Sequence, residues 1–172
     1  MHQTDKTVDG FRFMPPSLAA WIKSSIPDNS SGADIPWAPL RKPLSQTMFA
    51  LMTSAGISLK SQAPFDMERE RREPTWGDPS HRELPRDTRE EDVAVNHLHI
   101  NTSYIQRDLN VILPLARFAE LAQEGRIGGL APTSYSYYGY QPDPRMLLET
   151  TMPRVVARMR AEGVEAVLLT PA

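Results

Sequence analysis

Two histidines stand two residues apart in NHLHI, His97 and His99, and Asp108 and Asn110 follow at the same spacing in RDLN. On a strand, period-two spacing sends both imidazoles to one face. Two imidazoles and a carboxylate can hold a divalent metal with open positions, so His97, His99 and Asp108 are candidate metal ligands. The same three are candidate catalytic residues without a metal, because a histidine can act as a general base near neutral pH. A plainer alternative stays open: two histidines hydrogen-bonded to loop backbone, holding the loop in place. Asn110 is a candidate substrate contact.

The segment TSYSYYGY carries Tyr135, Tyr137, Tyr138 and Tyr140, four of the five tyrosines of the chain. If it is extended, Tyr135 and Tyr137 share a face. Phenols can line a small-molecule pocket or a cation cage, and they can equally anchor a protein interface. Tyr135, Tyr137 and Tyr140 are candidate substrate-binding residues. So are Thr53 and Ser54 in TSAG, a turn whose hydroxyls and backbone N–H groups could meet an anionic group. TSAG also reads simply as a tight turn. It is not a phosphate loop, since the Lys-Ser/Thr ending is absent. In GDPSHREL, Asp78 or Ser80 could cap a short turn, which favours a structural role for His81.

The elements that must position these residues follow from hydrophobic periodicity. TMFALMT (47–53) is apolar on both faces, as a buried parallel strand is. VAVNHLHI (93–100) predicts a second strand and VEAVLLT (164–170) a third. Between them, PLARFAELAQEG predicts a helix opened by Pro114 and stopped by Gly125. A second helix follows Asp143 and Pro144, is broken or restarted at Pro153, and ends before Gly163. The segment from 57 to 92 is charged and proline-rich, with a short helix expected around 67–72 and the charge run at 68–73 read as a solvated face. NTSYIQRDLNVIL and the Gly/Tyr-rich segment after Gly125 are expected as loops. Residues 1–45 read as an extended proline-rich arm, with a short helix from Pro16 and with Ile35, Trp37, Leu40 and Leu44 as apolar anchors.

This order predicts one α/β domain over 1–172, a mainly parallel sheet with flanking helices in a three-layer, Rossmann-like arrangement. Three strands are few against the usual ~5–6. The sheet is therefore expected to be incomplete, its edge filled by the arm or by another chain.

Composition narrows the function classes. The 172 residues carry a net charge of −2, which argues against a general nucleic-acid binder. No apolar run approaches the ~18 residues of a membrane span. The polar start MHQTDKTVDG is unlike a signal peptide, so a cytoplasmic location is expected. There are no cysteines, which excludes disulfides, thiolate metal sites and a cysteine nucleophile within these residues.

Several stretches, taken together, resemble the selenoprotein B family, the B components of glycine, sarcosine and betaine reductases and the related D-proline reductase subunit. They are IPWAPLRKPLSQTMFALMTSAGISLKSQAPFD, GDPSHREL, NHLHI with RDLNVILPLARFAELAQEGRIGGLAPTSYSYYGY, and VEAVLLTP. The resemblance runs from about Ile35 to Pro171. It implies reductive cleavage of a carbon–nitrogen bond in a small amino acid or betaine by a selenocysteine or cysteine. In the family that residue lies shortly after the strand resembling VEAVLLTP, and here no such residue is present. The resemblance thus implies a split or reduced member, an oxidoreductase subunit whose partner chain completes the sheet and supplies the thiol. A homo-oligomer is the other arrangement expected. His97, His99, Asp108, Asn110 and the tyrosine loop would form one wall of a shared small-molecule pocket. Two alternatives stand beside this one: a stand-alone enzyme using His97, His99 and Asp108, with or without a divalent metal, and a non-enzymatic binding or scaffold protein.

Overall fold

The computed structural model describes residues 9–26, 38–98 and 100–172. His99, Ile35 and Trp37 lie outside the described residues; Leu40 and Leu44, expected as anchors, are exposed. The chain divides into two units, Met1–Pro39 and Leu40–Ala172. In the first, Asp9 caps a 3-10 turn over Gly10–Phe13, its carboxylate accepting from the Phe11 N–H at 3.0 Å. Helix α1 (Pro16–Ser25) starts at the proline the sequence points to. A missing N–H and a fixed φ are tolerated in a first turn.

The second unit opens on β1 (Met48–Thr53), whose last four residues are all buried. The turn from Thr53 to Gly56 leads into the short strand β2 (Ile57–Leu59). The charged segment that follows is ordered by its carboxylates. Asp66 caps α2 (Met67–Arg72), accepting from the Arg69 N–H at 2.9 Å. Asp78 gathers the turn before β3 (His81–Pro85) by accepting from the Asp66 and Ser80 N–H groups at 2.9 and 2.8 Å.

Strand β4 (Val93–Val95) is shorter than the sequence predicts, and it pairs antiparallel with β2 in a separate two-stranded sheet. Asn96 closes that ladder through its N–H to the Gly56 carbonyl at 2.9 Å, while its side chain donates to Ser58 Oγ at 2.9 Å. An asparagine fits a pleated ladder poorly, and His97 falls in the coil beyond it rather than on a strand. The segment expected as a loop after it contains α3 (Ser103–Arg107). Helix α4 (Leu115–Gln123) begins after Pro114, as expected. Its first turn is capped by Asn110, whose Oδ1 accepts from the Ala116 and Arg117 N–H groups at 3.0 and 3.4 Å.

The Gly/Tyr-rich segment is not a loop but an interior line of the sheet, β5 (Gly129–Leu130) and β6 (Thr133–Tyr137), both parallel to β1. Its serines disguise it, because Ser favours turns in sequence. In place they serve the interior: Ser136 is fully buried and its Oγ accepts from the Ile57 N–H at 2.9 Å. A π-helical turn over Leu147–Thr151 then runs into α5 (Met152–Ala161), with Pro153 in its first turn. Finally β7 (Ala166–Thr170) pairs parallel with β1, from Phe49 opposite Ala166 to Thr53 opposite Thr170.

The main sheet therefore runs β3, β5/β6, β1, β7, parallel except for β3, which is antiparallel to β6. Leu51 of β1 packs with Leu113 and Leu115 at the start of α4 on one face. Ala50 and Met52 pack with Tyr135 and with Val155 and Met159 of α5 on the other. The connection through α4 leads to one side of β1 and the connection through α5 to the other, on opposite faces, as two right-handed crossovers require. The architecture is the expected three-layer α/β fold with an incomplete, mainly parallel sheet.

Candidate functional site at the carboxyl edge of the sheet

Open α/β sheets bind ligands beyond the carboxyl ends of their strands. Here that edge is a continuous rim of backbone-linked turns. The Gly56 N–H donates to the Tyr137 carbonyl at 3.0 Å, and the Gly139 N–H donates to the Ser54 carbonyl at 3.0 Å. The β1 turn is thus stitched to the end of β6, and Asn96 ties the His97 loop to the same turn. Thr53 and Ser54 are both buried. The Thr53 hydroxyl accepts from the Ala55 N–H at 3.2 Å, and Ser54 Oγ accepts from the Ala172 N–H at 3.0 Å.

Tyr138 stands at the centre of the rim. Its ring lies 4.8 Å from that of His97, tilted by 35°. Its hydroxyl donates to the carboxylate of Glu70, which α2 carries into the interior at 4% exposure. The backbone of Leu98 hydrogen-bonds the same hydroxyl. Burial and then the Glu70 bond push the Tyr138 pKa well above the ordinary tyrosine value. A single phenol thereby joins α2 to the His97 loop. Beside it opens a cavity of about 220 Å³ lined by Glu70, Arg71, Pro74, Leu98 and Tyr140. Tyr140 closes one wall, its hydroxyl donating to the Pro74 carbonyl at 2.6 Å.

The other residues singled out in the sequence lie elsewhere. Tyr135 is a core side chain beneath α5. Burial pushes its pKa up to about 12, with Glu162 and Glu83 adding to the shift. Tyr137 shares that face and packs at the margin of the same cluster. Asp108 and Asn110 sit at a helix entrance. The Asp108 carboxylate accepts from the Asn110 side chain and N–H at 2.8 and 2.9 Å, and these bonds hold its pKa below the usual value. Among the described residues no group of three or more His, Asp or Glu side chains is gathered closely enough to hold a metal ion. Glu70 and Asn96 are absent from the sequence-level candidates. Glu70 was hidden in a run of charges, and its one signal was the i,i+3 spacing from Met67 on a helix.

These polar side chains gather at the carboxyl ends of the strands of a doubly wound α/β layer, the edge at which folds of this class bind ligands. The sequence pattern of the glycine/sarcosine/betaine reductase selenoprotein B family matches residues 27–172. The chain belongs to that family. It is similar to the D-proline reductase subunit gamma of Acetoanaerobium sticklandii, at 33% identity over 134 residues. That match covers 78% of this chain and 52% of the relative, so the chain spans about half the length of the curated relative it matches. No solved structure matches it.

Proposed function

We propose that the chain is a subunit, or a reduced homologue, of a glycine, sarcosine, betaine or D-proline reductase-type oxidoreductase. In this role the rim formed by Thr53, Ser54, His97, Tyr138 and Tyr140 is one wall of a small-molecule pocket. The redox thiol or selenol comes from sequence other than these residues, which hold no cysteine. The observation that carries the proposal is Glu70, which accepts from the Tyr138 hydroxyl beside His97 and lines, with Tyr140 and Leu98, a cavity of about 220 Å³. The cavity has room for a molecule of a few heavy atoms, below the ~300–1,000 Å³ of drug-sized sites. A carboxylate and aromatic faces suit the cationic nitrogen of an amino acid or betaine. A cationic nitrogen leaves with the bonding pair as a neutral amine when the thiolate or selenolate attacks the adjacent carbon, and His97 is proposed as the general base that takes the proton of the thiol.

The test is reductive carbon–nitrogen cleavage with a dithiol as electron donor, read as amine release from glycine, sarcosine and betaine and as ring opening of D-proline, by the chain assembled with its thiol-bearing sequence. His97→Ala is expected to lower kcat about 10²- to 10⁴-fold while the fold persists. A His97→Ala assembly as active as the unmodified one would remove His97 from the proposal.

A further inference from the structure

The two edges of the main sheet are built differently. The β3 edge carries His81, Arg82, Glu83 and Pro85 in five residues. Charges and proline are the usual devices that keep an edge strand from pairing further. One of its carbonyls is already used, since Gln62 Nε2 donates to the Glu83 oxygen at 2.8 Å. The β7 edge, AVLLT, has neither a charge nor a proline. Among the described residues β7 pairs with β1 alone.

The face of β7 tells the same story. Register places Val167 beside Ala50 and Leu169 beside Met52. Helix α5 buries Ala50 and Met52, yet Val167 is 40% and Leu169 65% exposed on the same face. Val156 on α5 is exposed as well. The helical layer stops short of the sheet it should cover.

From these observations we infer that β7 receives a further parallel strand from the cysteine- or selenocysteine-bearing sequence of the reductase, with a helix covering Val156, Val167 and Leu169. The identity of the occupant rests on the proposed function; the edge and the strand direction rest on topology. Charges and a proline guard the β3 side, so among the described residues β7 is the edge left to receive a strand. In doubly wound sheets the binding crevice lies where the connections from adjacent strands part to opposite sides. A strand beyond β7 makes that point the carboxyl ends of β1 and β7, where Thr53, Ser54 and Thr170 stand. The added strand thus delivers the thiol-bearing sequence to the rim already described. Sequence to supply it exists in the family, because the curated relative extends well beyond the 52% of its length that matches here. The occupant is expected to be apolar on both faces, as parallel strands buried between helices are.

The experiment uses the chain assembled with the cysteine- or selenocysteine-bearing sequence. Benzoylphenylalanine, a photo-reactive residue, replaces Leu169, and in a control it replaces the exposed Glu120 of α4. Irradiation is expected to link position 169, and not position 120, to an apolar segment of a cysteine- or selenocysteine-bearing sequence outside residues 1–172. Leu169→Glu is expected to weaken assembly at least ten-fold while leaving the thermal unfolding of the chain unchanged. A link from position 169 to a second copy of the same chain overturns the inference, as does a yield no higher than that of the control. If the assembly reduces substrate and position 169 still fails to link, the edge inference alone falls. If the link forms and no substrate is reduced, the reductase proposal falls instead.

Discussion

Tyr135 and Tyr138 are both almost fully buried, and they differ in what their hydroxyls meet. The Tyr138 hydroxyl serves the Glu70 carboxylate, whereas the Tyr135 hydroxyl has no hydrogen-bond partner among the described residues. Removing one partner of a buried charged hydrogen bond costs about 1–3 kcal/mol. Tyr138→Phe is therefore expected to lower the urea unfolding free energy by about that much. Tyr135→Phe removes an unsatisfied group and should leave stability unchanged or raised. Equal losses in the two variants would contradict the assignment. The pH dependence follows from the same burial. Folding favours the neutral phenol of Tyr135, whose folded pKa of about 12 exceeds the unfolded value of about 10. Its contribution is intact below about pH 10 and is lost as pH rises through about 12. The urea midpoint should fall across that window, and less steeply in Tyr135→Phe; superimposable curves would refute this. At this scale the sequence was legible only in part. His97, Thr53, Ser54 and Tyr140 were visible as chemistry-bearing types near strand ends. Glu70 was not, because a buried carboxylate and a solvated one look alike within MERERR.

The elements hold the rim together by close backbone approach. A Cβ on Gly77 would sit 1.9 Å from the Tyr140 carbonyl oxygen, so the segment before β3 lies directly on the segment after β6. Gln141 Nε2 reinforces the contact by donating to the Asp78 carbonyl at 2.7 Å. Gly77→Ala must separate the two segments and is expected to cost about 1–3 kcal/mol, as other forced overpacking does. It should also increase the reactivity of Tyr140 toward nitration. Gly125 is the matched control: its φ is 67° but its surroundings are open. Gly125→Ala should cost about 1 kcal/mol in thermal unfolding and leave Tyr140 unchanged. A Gly77→Ala variant that behaves like Gly125→Ala would show the contact to be loose. The readable elements were those with unbroken apolar periodicity: β1, α4 and β7. Strand β6 was missed because its alternate positions are serines and tyrosines. The predicted strand over 93–100 was too long because Asn96 turns its amide to Ser58 instead of continuing a ladder.

Across the whole molecule, the sheet is finished on one side and open on the other. Apolar patterning showed that a mainly parallel sheet was present and short of strands. It could not show which edge was free, because strand order depends on how the crossovers fold back. That order places Thr53 and Thr170 side by side at the carboxyl ends of β1 and β7, next to the edge on which the proposed thiol-bearing strand would pair. The most direct measurement is carbon–nitrogen cleavage with a dithiol as electron donor, read as amine release from glycine, sarcosine and betaine and as ring opening of D-proline. The chain is assayed alone and then combined with the cysteine- or selenocysteine-bearing sequence that links to position 169. Cleavage of one of these substrates by the combined sample, and of none by the chain alone, is expected. Cleavage by the chain alone, or of no substrate in the combined sample, would contradict the proposed function.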